Sequence, residues 1–302
     1  MRITELFTSG HPFPSLEIVP PLSGITQQEL LDSIRPLMEF QPRYINVTTH
    51  RDELRFVPQP DGSYKQEVVR SRVSPVAVCA CINAHFPVEV VPHIICAGQS
   101  AREIEWQLQD FRFMGIENVM ALRGDSLTGE KRFTPQPDGY AHASQLVAAI
   151  REQGPFCIGV GAYPEKHFEA ANLETDIAFL KAKVDAGADY VITQMFFDNA
   201  VFYSFVEKCH AAGITVPIIP GLKPLTTVRQ LEMLPQAFSI DIPLPLTEAI
   251  RESGMDKEEV RRIGVDWCIA QCRDLLAHGV PAVHFYTMGK SQNISEVLRS
   301  CF

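Results

Sequence analysis

No stretch of this 302-residue sequence approaches the ~20 consecutive apolar residues needed to cross a bilayer. The N-terminus, MRITELFTSGHPFP, lacks the long apolar run of an export signal. A cytoplasmic location without membrane association is therefore the expectation. Clusters of basic residues are also missing, since 27 Lys and Arg face 36 Asp and Glu for a net charge of −9. Nucleic-acid binding depends on neutralising phosphates, so this balance argues against it. Anionic small molecules remain open, because a few local cations or a helix N-terminus can hold them. The first strand-like run enters Pro20-Pro21 with no G-x-G-x-x-G, the turn that usually marks a doubly wound dinucleotide-binding sheet. Interdomain linkers, low-complexity tracts and short repeats are absent too. The eight cysteines, at 79, 81, 96, 157, 209, 268, 272 and 301, lack metal-ligand spacing and read as small packing residues. No metal site is expected.

What is present is an alternation of short β-branched runs with longer amphipathic segments, repeated eight times. The strand candidates are 15–19, 43–48, 88–96, 117–123, 156–163, 189–194, 216–221 and 282–287. Their near-continuous apolar character suits parallel strands covered on both faces. Residues 26–40 and 100–114 read as helices opening at Thr or Ser caps. Gly115, Gly187, Gly213 and Gly279 stand where helices give way to strands. Two or three helices should fill 222–281, broken at DIPLPL. Residues 50–75 and 126–139 read as long loops after the second and fourth strands. The pattern predicts an α/β fold, one (β/α)8 TIM barrel spanning residues 1–302 as a single domain.

In such a barrel, polar residues at strand C-termini face the active-site mouth. Those ends supply Glu17, Thr48, His93, Arg123-Gly124-Asp125, Tyr163, Gln194 and Tyr286. Glu17 sits among Leu16, Ile18, Val19 and two prolines, so burial should raise its pKa toward that of a general acid. The plainer reading is a strand-end carboxylate paired with Arg or Lys. Asp125 reads equally as an Arg123 partner or a helix cap. A lone histidine in an apolar strand, as His93 is, is more often a satisfied core residue. Gln194 can donate and accept, as a heterocyclic amide edge requires. Tyr163 opens a dense polar turn through His167, and its ring suits stacking on a planar cofactor.

Together LEIVPP (16–21), YINVT (44–48), VPHIIC (91–96), ALRGD (121–125) and AYPEKH (162–167) resemble the methylenetetrahydrofolate reductase family. KVDAGAD (183–189), ITQMFFD (192–198), IIPGLKP (218–224) and HFYT (284–287) extend the resemblance nearly end to end. It is to the short bacterial form, a catalytic barrel without the C-terminal regulatory domain of eukaryotic relatives. Inhibition by S-adenosylmethionine is accordingly not expected.

The resemblance implies FAD held without a Rossmann motif, and NADH or NADPH alternating with 5,10-methylenetetrahydrofolate in a ping-pong cycle. Glu17 matches the acid that assists opening of the imidazolidine ring, and Asp125 the aspartate that contacts the pterin and stabilises the iminium cation. Thr48, His93, Arg123, Gly124, Asp125, Tyr163, His167, Asp176 and Lys183 fall on FAD-contacting positions. Gln194, Gln230, Tyr286 and Lys290 fall on the substrate side. Thr49-His50 stands where a Tyr is common, and Lys290 replaces an Arg, keeping the charge but losing the bidentate fork. A homo-oligomer is implied. The alternatives are a flavin-free folate- or corrinoid-linked methyltransferase, or an accessory subunit of a larger reductase complex.

Overall fold

The β-branched runs do become parallel strands, and the reason is the double coverage their apolar character requires. In the computed structural model, residues 1–8, 10–50, 53–125, 133–287 and 291–302 are described, the side chains of Glu53 and Leu54 excepted. The barrel strands are β1 (Phe13–Ile18), β2 (Tyr44–Val47), β5 (Glu89–Ile95), β6 (Asn118–Leu122) and β7 (Cys157–Ala162). β8 (Tyr190–Met195), β9 (Ile218–Leu222) and β10 (Ala282–Tyr286) complete them. They close in the order β1-β10-β9-β8-β7-β6-β5-β2, every barrel pairing parallel. The expected single TIM barrel is the fold.

Helices cover the outside. They include α2 (Gln27–Met38), α3 (Pro75–His85), α4 (Ala101–Phe113), α5 (Ala143–Gln153), α6 (Leu173–Asp185) and α7 (Asn199–Ala211). Thr26 with Glu29, and Ser100 with Glu103, form reciprocal capping boxes that start α2 and α4. The glycines expected at helix ends have positive φ, from +74° at Gly115 to +117° at Gly187. The connection after β9 holds three helices, α8 (Gln230–Phe238), α9 (Leu244–Glu252) and α10 (Lys257–Ala277). α11 (Ser291–Cys301) closes the ring, and the short α1 (Ile3–Leu6) plugs its base. There Ile3 N–H donates to Asn118 Oδ1 at 2.9 Å, and Ile3 and Leu6 join the core inside the barrel. All eight cysteines are free thiols. No helix among the described residues is long and apolar enough to cross a membrane.

One expectation fails. Residues 50–75 are not an irregular loop. They contain an antiparallel ribbon, β3 (Glu53–Pro58) with β4 (Tyr64–Val69), turned by Pro60-Asp61-Gly62. Its charged and apolar residues alternate with a strand's period of two, the pattern that overrides a merely polar composition. Residues 126–132 of the second expected loop lie outside the described residues, and 133–139 carry no regular element.

The barrel interior changes character from base to mouth. Alternation along β1 sends Phe13, Ser15 and Glu17 inward while Leu16 and Ile18 pack against the helices. The base layer is apolar and aromatic, with Phe13, Tyr44, Val91, Met120, Tyr190 and Ile219. Two residues further along the strands, Ser15, Asn46, His93 and His284 are buried and polar.

Candidate active site

Glu17 stands at the top of that polar layer, in register with Asn46 on β2 and Tyr286 on β10. Its Oε2 lies 3.7 Å from His93 Nε2 and 3.9 Å from His284 Nε2. Behind it, His284 Nδ1 and Ser15 Oγ share a hydrogen bond of 2.9 Å. Both imidazole Nε2 atoms and both amide atoms of Asn46 are buried without a hydrogen-bond partner among the described residues. His93 is therefore not the satisfied core histidine that its apolar strand suggests. Burial holds it neutral, down at about 4, against the pull of Glu17.

The expected proton affinity of Glu17 is reversed. Burial does push its carboxyl up, and is the largest single influence. The imidazoles of His284, His93 and His50 gathered around it outweigh burial, leaving Glu17 below the ordinary carboxylate value. Its neighbours among the described residues are imidazoles rather than the Arg or Lys of the plainer reading. Removing His284 in His284→Ala should raise the Glu17 pKa. A depressed carboxylate contributes stability above its unfolded pKa and loses it as pH falls through the folded value, so the variant should be less sensitive to acid here. Carbon-13 NMR titration of the Glu17 carboxyl reads this directly, and an unchanged midpoint would remove His284 from the explanation.

A second cluster gathers at the ends of β6 and β7. Arg123 binds Glu169, not the Asp125 two residues away that local spacing suggests, and lies over the Phe133 ring. Gly124 has φ +81° and a Cβ there would lie 2.8 Å from Ala97 Cβ, so any side chain is excluded twice over. Asp125 is exposed at the mouth, and its charge helps push the hydroxyl of half-buried Tyr163 up to about 12, after desolvation itself. Tyr163 meets the His167 ring edge-on at 4.7 Å. Asp176, in the first turn of α6, accepts the His167 N–H at 2.9 Å and so shapes the turn. Lys183 is half-buried and donates to Gly161 O at 2.5 Å, and loss of solvent around its amine lowers it to about 8. Thr48 Oγ1 lies 3.1 Å from His50 Nε2, and Thr49 donates to the His93 carbonyl.

Tyr286 joins the two clusters. Its hydroxyl is pushed well up, first by desolvation and then by the charges of Glu17 and Tyr163. It donates to Thr193 O at 2.7 Å, lying where a Cβ on Gly221 would meet its ring at 2.7 Å. Beside Tyr286 opens a cavity of about 360 Å³, lined by Met195, Lys223, Gln230, Phe238 and Thr287 among others. Thr287 also donates from Oγ1 to Glu17 O at 2.8 Å, tying the cavity wall to the acid's strand. Gln230 Oε1 accepts the N–H groups of Thr226 (2.7 Å) and Thr227 (3.0 Å), and Gln194 Oε1 accepts that of Met195 (2.9 Å). Lys290 lies outside the described residues.

Sequence reasoning missed Asn46, Ser15 and His284. His284 was within reach, since it sits two residues before Tyr286 and therefore on the same face of β10. Glu165 was also passed over. Burial raises it to about 7, with the charges of Asp241 and Asp198 adding to that and the Asp241 N–H it accepts at 3.0 Å opposing it. For a raised acid, stability is full below the unfolded pKa and lost as pH rises through the folded value. Glu165→Gln should therefore flatten the fall in melting temperature between pH ~5 and ~8. Parallel slopes for the two proteins would defeat the argument.

The sequence signature of methylenetetrahydrofolate reductases matches residues 2–301. This chain belongs to that family. A methylenetetrahydrofolate reductase (NADH) of Zea mays is 35% identical over 98% of this chain and 49% of its own length. The 5,10-methylenetetrahydrofolate reductase of Escherichia coli is 31% identical, over 92% of this chain and 86% of its own. The chain thus spans about half the length of the plant, nematode and fission-yeast relatives, and most of the bacterial reductase. A solved Clostridium thermocellum protein, described as binding two copies of 5-methyl-5,6,7,8-tetrahydrofolic acid, shares the fold. Its TM-score is 0.64 at 13% identity, over 100% of this chain and 98% of that one.

Proposed function

We propose that this barrel is a catalytic unit reducing 5,10-methylenetetrahydrofolate to 5-methyltetrahydrofolate, with NADH or NADPH as electron donor and FAD as bound cofactor. The observation that carries the proposal is the convergence of Glu17, Tyr286, Tyr163 and Asp125 on one mouth, with a cavity beside them. A flavin-free methyltransferase would have no use for the grouping of Arg123, His167 and Lys183 beyond β6 and β7.

The residues fit FAD on their own chemistry. A dinucleotide diphosphate needs cations and N–H donors, and Arg123, His167 and Lys183 influence one another's charge within a single cluster. A flat ring needs a wall without side chains, and half-buried Gly161 faces inward near the end of β7. Lys183, His167, Arg123 and Asp176 would hold the diphosphate and ribose, and Thr48, His93, Gly124, Asp125 and Tyr163 the ring side. Bound there, FAD would supply transfer of reducing equivalents between the nicotinamide and the folate.

The chain's own residues do the rest. Gln194 and Gln230 offer amides to the pterin and its tail, and each has its oxygen anchored by backbone N–H groups, which fixes the amide's orientation. Lys290 is the proposed cation for the glutamate tail. Asp125 sets negative charge where the folate becomes a 5-iminium cation. Glu17 holds the proton for the opening imidazolidine ring. Folate seated over it removes the solvent that still reaches the carboxylate, and that added desolvation moves it toward the protonated form. A homo-oligomer in the cytoplasm is part of the same proposal.

The test is an absorption spectrum of the purified chain followed by anaerobic titration with each nicotinamide. A yellow protein that bleaches, then recovers colour with 5,10-methylenetetrahydrofolate, is expected. Colourless protein that turns over folate favours the methyltransferase, and copurification with an iron–sulfur protein, without activity on NADH alone, the accessory subunit.

A further inference from the structure

The β3–β4 ribbon leaves the barrel between β2 and α3. Its root is tied down where Ser23 N–H donates to Ser71 O (2.8 Å), Val73 N–H to Pro21 O (3.0 Å) and Arg72 Nη1 to Pro20 O (2.7 Å). Beyond the root its amphipathicity is inverted. The cross-strand pairs Phe56–Gln66 and Pro58–Tyr64 place Phe56, Tyr64, Gln66 and Val68 on one face. Arg55, Val57, Lys65, Glu67 and Val69 share the other. The apolar face is the open one, with Phe56, Tyr64 and Val68 exposed by 67%, 69% and 67%, while Val57, Glu67 and Val69 are half-buried. A two-stranded ribbon alone is marginal in water, and an outward apolar face on one marks an interaction surface.

The edge of β4 is open as well. Gln59 N–H donates to Ser63 O at 2.7 Å, so the ladder bonds of this ribbon fall on odd-numbered pairs such as Val57–Lys65 and Arg55–Glu67. Tyr64, Gln66 and Val68 therefore turn their N–H and C=O groups away from β3. Among the described residues, no further strand lies on that side.

The order Tyr64-Lys65-Gln66-Glu67-Val68 is complementary to itself when reversed. Two β4 strands laid antiparallel about a two-fold axis through Gln66 bring Lys65 opposite Glu67 of the partner subunit, twice. Tyr64 falls against Val68 of the partner subunit, an aromatic to β-branched pair. Gln66 meets its own copy. Tyr64, Gln66 and Val68, which meet across this axis, are the residues whose backbone groups point outward, so ladder bonds and side-chain pairs agree on one register.

We propose that two copies of this chain join through β4, forming a four-stranded antiparallel sheet in the order β3-β4-β4-β3. The contact is isologous, with the same edge on both subunits, and it closes as a dimer. It needs neither ligand nor catalysis, so its success or failure is separate from that of the proposed reaction.

Sedimentation velocity on the full chain over ~1–100 µM reads the dimer directly. Lys65→Glu or Glu67→Lys alone sets like charges opposite each other and should weaken it about tenfold. Lys65→Glu/Glu67→Lys together restores the complementarity and should restore the dimer. Gln66→Pro removes an outward N–H, a change edge strands tolerate, and should abolish dimerisation while the barrel keeps its melting temperature. Hydrogen exchange adds a readout that needs no variant. The amides of Tyr64, Gln66 and Val68 should gain protection as concentration rises, while those of Lys65 and Glu67 stay constant. A monomer at every concentration, a dimer indifferent to these substitutions, or even-numbered amides that exchange alike at all concentrations would overturn the proposal.

Discussion

Glu17→Gln should leave nicotinamide oxidation by the holoenzyme near its original rate and slow folate reduction by ~10²–10⁴-fold, the range a positioned proton donor supplies. The asymmetry follows from what each half-reaction needs. Hydride delivery by a nicotinamide requires no proton from the chain, whereas breaking the imidazolidine ring leaves a nitrogen that must be protonated. Gln keeps the size and hydrogen-bonding reach of Glu17 beside His93 and His284, so geometry is held while the transferable proton is lost. Stopped-flow measurement of each half-reaction under anaerobic conditions separates the two. Loss of both with cofactor still bound would show that Glu17 positions the ring rather than protonating the substrate. Asp125→Asn offers a contrast, because it removes charge without removing a proton donor. It should slow folate reduction more than it weakens FAD binding, and an unchanged folate half-reaction would defeat its assignment to the iminium cation.

The second large effect is on stability. Gly264 is buried in α10, and a Cβ there would lie 1.5 Å from the carbonyl oxygen of Leu225 and 2.5 Å from its carbonyl carbon. The obstacle is backbone, so no rotamer change relieves it, and either α10 or the segment after β9 must move. Gly264→Ala, which would favour an isolated helix, should therefore destabilise the protein by about 3 kcal/mol or more. Leu225 follows Lys223 and Pro224, which line the cavity beside Tyr286, so the same shift should weaken folate binding. Urea unfolding at constant m-value measures the first consequence. A change under ~1 kcal/mol would mean that α10 drifts off Leu225 at little cost.

Gly264 also illustrates what could not be read from sequence. Its neighbour in the chain order is a helix interior, where glycine merely looks unfavourable, and its real constraint is a carbonyl 39 residues earlier. Glu17 is the sharper case. Its apolar flanks argue for a raised pKa and burial does act that way, but His93 and His284 arrive from 76 and 267 residues further along the chain. Arg123 likewise finds Glu169 instead of Asp125, because the turn after β7 folds back over the end of β6.

The sequence by itself determined the barrel, its eight strands and the helix caps, because these depend on hydrophobic period, capping residues and positive-φ glycines that act within a few positions. It also marked the strand ends as the place where polar groups gather. Tertiary structure alone decided which of those groups touch, what proton affinity the carboxylate has, and that the insertion after β2 turns its apolar face outward. Closing a ring of parallel strands places β10 against β1, and electrostatic and packing neighbours made by that closure leave no trace in local sequence.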